Sequence, residues 1–247
     1  MSLAAPPRQR ILAQAGFETR TLLANGEQLL VAVVLPALAL LGLALASAPD
    51  LGPGRRVDVA TPGVLALAVI STAFTGQAIA TGFDRRSGML RLLGTTPLGR
   101  DGLLAGRFLG VLVVEGLQVV ILGGIGLALG WRPDAAGLPL AVLWLLLGTA
   151  TFVALALLLA GTLRAEGVLA IANLLWVLML GLGVLLPIDR LPTALGAVAR
   201  CTPGGALGEL VRAATQGLAT PWWGVGVLLG WLVLGTAGAL RWFRWSD

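Results

Sequence analysis

The sequence predicts an all-α membrane protein with six spanning helices and both termini on the cytoplasmic side. Three observations carry that prediction. The chain is 57% hydrophobic and only 12% charged, where a soluble domain carries about 25% charge. Its mean hydropathy is +0.92. Six apolar stretches approach the roughly 20 residues that a bilayer crossing needs. A length of 247 residues suits one membrane domain and leaves no room for a second globular one.

Residues 1–28 read as a cytoplasmic entry segment. From 8 to 28, Ile11, Leu12, Ala15, Thr19, Leu22 and Leu23 fall in one helical arc, and Arg10, Gln14, Glu18, Thr21 and Asn25 form an opposite polar stripe. Pro6-Pro7 precede this element and Gly26 interrupts it. The pattern predicts an amphipathic helix in the headgroup layer; a plain basic lead-in is the alternative. Ala46-Ser47-Ala48 mimics a signal-peptide cleavage site. However, Glu18 and Glu27 precede the apolar run and Pro49 would follow the cut, so the segment stays as the first span.

The six spans are expected at 29–48, 60–82, 108–130, 138–162, 168–187 and 222–241, which together with the loops make one membrane domain from 29 to 247. With both ends inside, eleven arginines flank the spans on the cytoplasmic side and six (Arg55, Arg56, Arg132, Arg190, Arg200, Arg212) lie outside, as the positive-inside rule requires. Trp222, Trp223, Trp242 and Trp245 bracket the last span and read as interfacial anchors.

Residues 188–221 are too polar to span and too apolar for a plain loop. Leu207, Leu210, Val211 and Ala214 form a helical stripe with Glu209, Arg212 and Gln216 on another face, and Pro203-Gly204-Gly205 separates this run from Leu191 to Arg200. Two short outer helices are expected, re-entrant or lying on the surface, serving either as a gate or as plain surface structure.

The composition excludes several chemistries. There is no Lys, so no P-loop of the G-x-x-x-x-G-K-[ST] type. There is no His, so no H-E-x-x-H zinc site and no Ser-His pair. The single cysteine, Cys201, cannot form an internal disulfide and reads as an inert small residue. These absences argue against an enzyme and against a cofactor in this chain. The basic balance reflects arginines placed for topology rather than for nucleic acid.

The block between the second and third apolar stretches, 82–107, contains Arg85, Arg86, Arg91, Arg100 and Arg107. Thr95-Thr96-Pro97 should end one helix, because the residue before a proline is pushed out of helical geometry. A second short helix then runs from about Gly99 into the third span. On the first helix Met89, Leu92 and Leu93 cluster, Arg91 points away, and Arg85 and Arg86 flank the cluster. Two readings stay open, docking on a partner and docking at the membrane surface. A loop that only snorkels at headgroups needs neither the Gly-Thr-Thr-Pro corner nor a leucine cluster.

Within the spans, Glu115 is the one acid at apparent membrane depth, with Gln118 a turn away. An intramembrane ionisable residue is a functional hypothesis by default. Glu115 faces a polar path through the spans, pairs with Arg107 two turns earlier, or sits near the interface. Gln77 and Asn173 are further candidates for the path, but read first as interhelical hydrogen-bonding groups. Gly106-x-x-x-Gly110 and Gly126-x-x-x-Gly130 permit close helix approach, but glycine is so frequent here, with 35 in the chain, that such spacings arise by chance.

The run Gly82-Phe83-Asp84-Arg85-Arg86-Ser87-Gly88-Met89-Leu90-Arg91-Leu92-Leu93-Gly94-Thr95-Thr96-Pro97-Leu98 resembles the region after the second span of ABC-2-type ABC transporter permeases. That family commonly shows an acid–arginine pair, a glycine, a leucine-rich turn and a T-P or S-P corner there. The order of elements is also similar along nearly the whole chain. The resemblance implies a permease subunit of an exporter in the cytoplasmic membrane of a bacterium, with 83–107 acting as a coupling helix on a separate P-loop ATPase. Asp84, Arg85, Arg86, Met89, Leu92, Leu93, Thr95, Pro97 and Arg100 would meet that ATPase, with Arg164 and Glu166 as a secondary contact. It further implies a second permease chain, identical or not, Mg-ATP bound in the partner, and a hydrophobic or amphipathic cargo. A stand-alone channel or lipid scramblase is the alternative, and an intramembrane enzyme is disfavoured by the missing His and by the lack of an Asp pair within the spans.

Overall fold

The computed structural model describes residues 5–24, 26 and 30–245. The described residues fold as helices joined by short turns. They are α1 (Pro7–Ala24), α2 (a π-helical turn Leu30–Val34 running into Leu35–Leu45), α3 (Arg56–Arg86), α4 (Met89–Gly94) and α5 (Gly99–Ala128). They continue with α6 (Leu138–Thr162), α7 (Ala165–Val184), α8 (Thr193–Cys201), α9 (Pro203–Thr215) and α10 (Trp222–Trp242).

The organising element is α3. It is 31 residues long and 94% of its apolar window is buried, with α2, α5, α6, α7 and α9 packed around it. Its sequence explains the position. Ala60, Gly63, Ala66, Ala68 and Ala73 are small enough for neighbours to approach its backbone closely. A Cβ at Gly63 would lie 2.6 Å from the Val184 carbonyl, so that contact requires glycine. A π-helical turn at Ile70–Gly76 adds a residue to the ladder and re-aims the following polar side chains. Phe74 packs edge-on against Phe152 of α6 at 6.1 Å between ring centroids.

Among the described residues, five helices are long and apolar enough to cross a membrane: α3, α5, α6, α7 and α10. The expected first crossing is a shorter apolar helix, Ala32–Leu45. The third expected span and the short helix before it are one continuous 30-residue helix, α5, because no residue between Gly99 and Ala128 breaks the hydrogen-bond ladder. The fifth ends at a kink, where Leu182 leaves helical geometry and Gly183 adopts φ +84°, a value open to glycine at little cost.

Segment 188–221 forms two helices, and α9 is no surface element. Leu207, Leu210, Val211 and Ala214 are buried against α3, α6 and α10. Arg212, expected on a separate polar face, is buried as well. It donates to the carbonyls of Gly183 at 2.6 Å and Val184 at 2.8 Å, and pairs with Glu209 at 2.8 Å. The guanidinium thus takes up carbonyls left free where α7 breaks. Thr202 caps α9, accepting from the Gly205 amide at 3.1 Å.

The entry helix also departs from expectation. Part of the polar stripe turns inward together with Ala15 and Leu22 of the apolar arc, both buried: Gln14 and Glu18 lie against Gly106 and Gly110 of α5, where added Cβ atoms would come within 2.6 Å and 2.9 Å of their side chains. Leu12 and Phe17 point outward, each 64% exposed. The glycine pair with a chance-like spacing is therefore the seat of α1. Asn25 and Glu27 lie outside the described residues.

The loops sort to two ends. At one, Arg55 binds Asp58 and the Gly130 carbonyl, Arg190 binds Asp50, and Gln216 donates to the Asp58 carbonyl. At the other, α1, α4, the 163–166 turn and the chain after α10 come together.

Candidate coupling surface

The second end is assembled around the close of α3. Gly88, at φ +76°, reverses the chain after Arg86 and starts α4. Leu90 is 2% exposed and anchors this short helix, leaving Met89 at 45% and Leu92 at 64% on its outer side; Arg91 is exposed and Leu93 half-buried. The corner after α4 is closed by side chains. Thr95 Oγ1 donates to the Leu92 carbonyl at 2.8 Å and Thr96 Oγ1 to the Leu93 carbonyl at 2.7 Å, which occupies carbonyls at the helix end. Pro97 is exposed at the corner.

Behind this surface is a set of braces. Asp84 pairs with Arg107 of α5. Arg107 is buried and also binds Glu18 of α1 at 3.1 Å and Thr81 at 2.9 Å, while Gln14 donates to the same Glu18 oxygen at 2.8 Å. Arg85 is 4% exposed and donates to the carbonyls of Ala160, at 2.6 Å, and Leu163. Asp84 and Arg85 thus lie inward of the outer face on which both were expected, because each has a partner on a neighbouring helix. Arg86 pairs with Glu166 at the start of α7. The two groups of residues expected to form a contact, 83–107 and 164–166, are therefore adjacent. Arg164 is exposed beside them. Arg100 turns toward the chain end, its guanidinium 4.5 Å from the centroid of Trp245.

The sequence model for ABC-2 family transporter proteins matches residues 57–241, from the first turn of α3 to the last turn of α10. The chain belongs to the ABC-2 family. It is a multi-pass permease, the membrane component of a transporter, and members of this family typically work with an ATPase partner. No curated protein matches the chain.

Inside the permease the four polar residues considered for a path do not converge on one cavity. Gln118 is 1% exposed and is an interhelical joint: it donates to Thr72 Oγ1 of α3 at 2.9 Å and to the Ala32 carbonyl of α2 at 2.6 Å. Glu115, also buried, lies one turn away, with the Thr149 hydroxyl of α6 at 2.6 Å from Oε2, while its Oε1 has no hydrogen-bond partner. Arg107 does not reach Glu115; Glu18, Asp84 and Thr81 occupy it. Gln77 is buried on α3, and Asn173 is exposed on α7.

Sequence reading missed the partners of these groups. Thr72 and Thr149 are small hydroxyl residues within long apolar runs, and Ser71, which accepts from the Trp176 indole at 2.7 Å, is equally inconspicuous. The one available signal was the density of hydroxyl residues along α3, where Thr61, Ser71, Thr72, Thr75 and Thr81 are all buried. Leu90 was hidden among equivalent leucines.

Proposed function

We propose that this permease is the membrane subunit of an ATP-driven exporter and that α4 with its flanking corner docks into a groove of a separate P-loop ATPase. The observation that carries this reading is the surface of α4. Met89 and Leu92 are large apolar side chains held outward on a helix anchored by Leu90 and braced from behind by Asp84 and Arg85. Exposed apolar groups on an otherwise polar end mark an interaction site. Leu93, Thr95 and Pro97 extend the contact along the corner, and the Arg86–Glu166 pair with Arg164 forms its second edge.

In this reading the arginine-rich end faces the cytoplasm of a bacterium, α2 completes six spans, and both termini lie inside. Mg-ATP binds in the partner, closure of the ATPase dimer pushes on α4, and the rigid end of α3 passes that displacement into the bundle. A second permease chain, identical or related, completes the assembly. The apolar, small-residue walls fit a hydrophobic or amphipathic cargo, and the polar groups Glu115, Gln118, Gln77 and Asn173 are the candidates to meet it.

The test replaces Leu92 and Leu93 by Asp in the full-length chain. Membrane insertion should persist while co-purification with the ATPase encoded beside it, and stimulation of that ATPase by cargo, are lost. Unchanged stimulation places the contact elsewhere. A wild-type chain that never associates with a P-loop ATPase overturns the reading in favour of a stand-alone channel or scramblase.

A further inference from the structure

The polar end contains one feature that partner docking does not use. Between α5, α6 and α10 lies a groove of about 270 Å³, bordered by Leu104 on α5, Ala154 and Leu157 on α6, and Ala239 and Leu240 on α10. Its walls are almost wholly apolar; the Thr236 hydroxyl is the side-chain polar group among them.

The end of the chain closes the groove. After α10 the backbone folds back so that the Arg244 amide donates to the Gly161 carbonyl at 3.1 Å. Phe243 then packs against Gly161, where a Cβ would collide with its ring. Phe243 meets Trp245 edge-on with centroids 5.0 Å apart, and Arg100 lies over Trp245. Two aromatic rings thus form a floor at the level where the apolar wall gives way to charge.

The charge is placed over the slot. Arg100 and Leu104 are one turn apart on α5 and so share a face, while Arg244 stands between Phe243 and Trp245, the two aromatic residues of the folded-back segment that line the groove. The α5 wall therefore continues from an aliphatic side chain into an arginine, and the floor carries a second arginine between its two rings. Both arginines are exposed, and α6, the third wall, has no charged residue between Leu138 and Thr162. Asp101 is the one nearby acid on α5, turned about 100° away from Arg100 by the helical repeat.

We propose that this groove binds one anionic phospholipid of the leaflet at the arginine-rich end. An acyl chain fills the slot and the phosphate sits between Arg100 and Arg244, with the Trp245 ring at headgroup level. The arginine, aromatic and aliphatic levels match the layers of such a lipid in order. A zwitterionic lipid could fill the slot equally well but would lose the net charge that the two guanidinium groups favour. The site reassigns Arg100 from ATPase contact to lipid. Because Arg100 also lies against Gly94, whose added Cβ would be 3.7 Å from Arg100 Cγ, the bound lipid would steady the end of α4.

The test is native mass spectrometry of the full-length protein released from nanodiscs containing equal amounts of phosphatidylglycerol and phosphatidylcholine. The expected result is one phosphatidylglycerol retained per chain, with at least tenfold preference over phosphatidylcholine. Replacing both arginines (R100Q with R244Q) should abolish the preference, and A239W, which fills the slot without touching charge, should reduce retention tenfold. R132Q, at the opposite end, should change nothing and serves as the folded control. Equal retention of the two lipids by wild type overturns the proposal, as does a preference that survives both R100Q/R244Q and A239W. None of these outcomes depends on an ATPase partner.

Discussion

Arg107 on α5 and Glu18 on α1, 89 positions apart in the chain, form an ion pair at 3.1 Å, with only 7% and 14% of their side chains exposed. The same guanidinium holds Asp84 at the end of α3. One cation therefore ties the entry helix, the central helix and the start of the coupling segment into a single body. A buried charge of this kind adds little net stability against an apolar substitute, but breaking one side of it is costly.

Removing that cation should show the asymmetry. R107A leaves Glu18 and Asp84 facing each other without compensation, and a loss of about 3–5 kcal/mol is expected, read as a fall in the unfolding midpoint of the purified protein. E18Q, which keeps a hydrogen-bonding group, should cost clearly less. Equal losses for the two variants would show that the cluster is not organised around Arg107.

The seat of α1 can be tested by volume alone. G106L places a side chain where Gln14 now lies, since even a Cβ would come within 2.6 Å of it. In a chain with Cys201 replaced by Ser, a cysteine at Ala15, which is 7% exposed, should react slowly with maleimide. Adding G106L should accelerate that labelling several-fold. No change in rate would mean that α1 is held by its ion pair and not by the glycine groove.

The Glu115–Thr149 bond should be structural as well as polar. T149V deprives Glu115 Oε2 of its partner when Oε1 already lacks one, so a loss of about 1–3 kcal/mol is expected. The double change E115L with T149V removes both polar groups and should recover part of that loss, as read from thermal unfolding in detergent. A double variant less stable than T149V alone would contradict this pairing.

The Arg86–Glu166 pair should behave oppositely. Its side chains are 56% and 64% exposed, and a solvated pair contributes about 0–1 kcal/mol. R86E and E166R are each expected to leave the unfolding midpoint nearly unchanged while lowering cargo-stimulated ATPase activity of the assembled transporter. The double reversal should restore it. Activity lost in the singles and not regained in the double would mean that each residue contacts the ATPase separately.

Residue patterns made much of this architecture legible in advance. The long apolar runs coincide with α3, α6, α7 and α10 within a few residues and with α5 from 108 onward, although that helix begins at Gly99, because a helix that meets lipid must be apolar over a length set by the bilayer. The Thr95-Thr96-Pro97 corner marked the end of α4 for an equally local reason. The resemblance in that same stretch pointed to the family that residues 57–241 match.

What the sequence by itself determined was therefore set by short-range chemistry: which segments are helical, where they stop, and which end collects arginine. Only the tertiary structure decided the partners. Along the chain Arg107 lies two turns from Glu115, yet it pairs with Glu18, and Arg212 and Gln14 read as members of ordinary polar faces. Gln14 and Glu18 of α1 turned inward because two glycines on α5 let the helix approach a buried cation, and Arg212 turned inward because α7 breaks beside it. Such choices depend on contacts between residues tens of positions apart, and a one-dimensional pattern has no term for them.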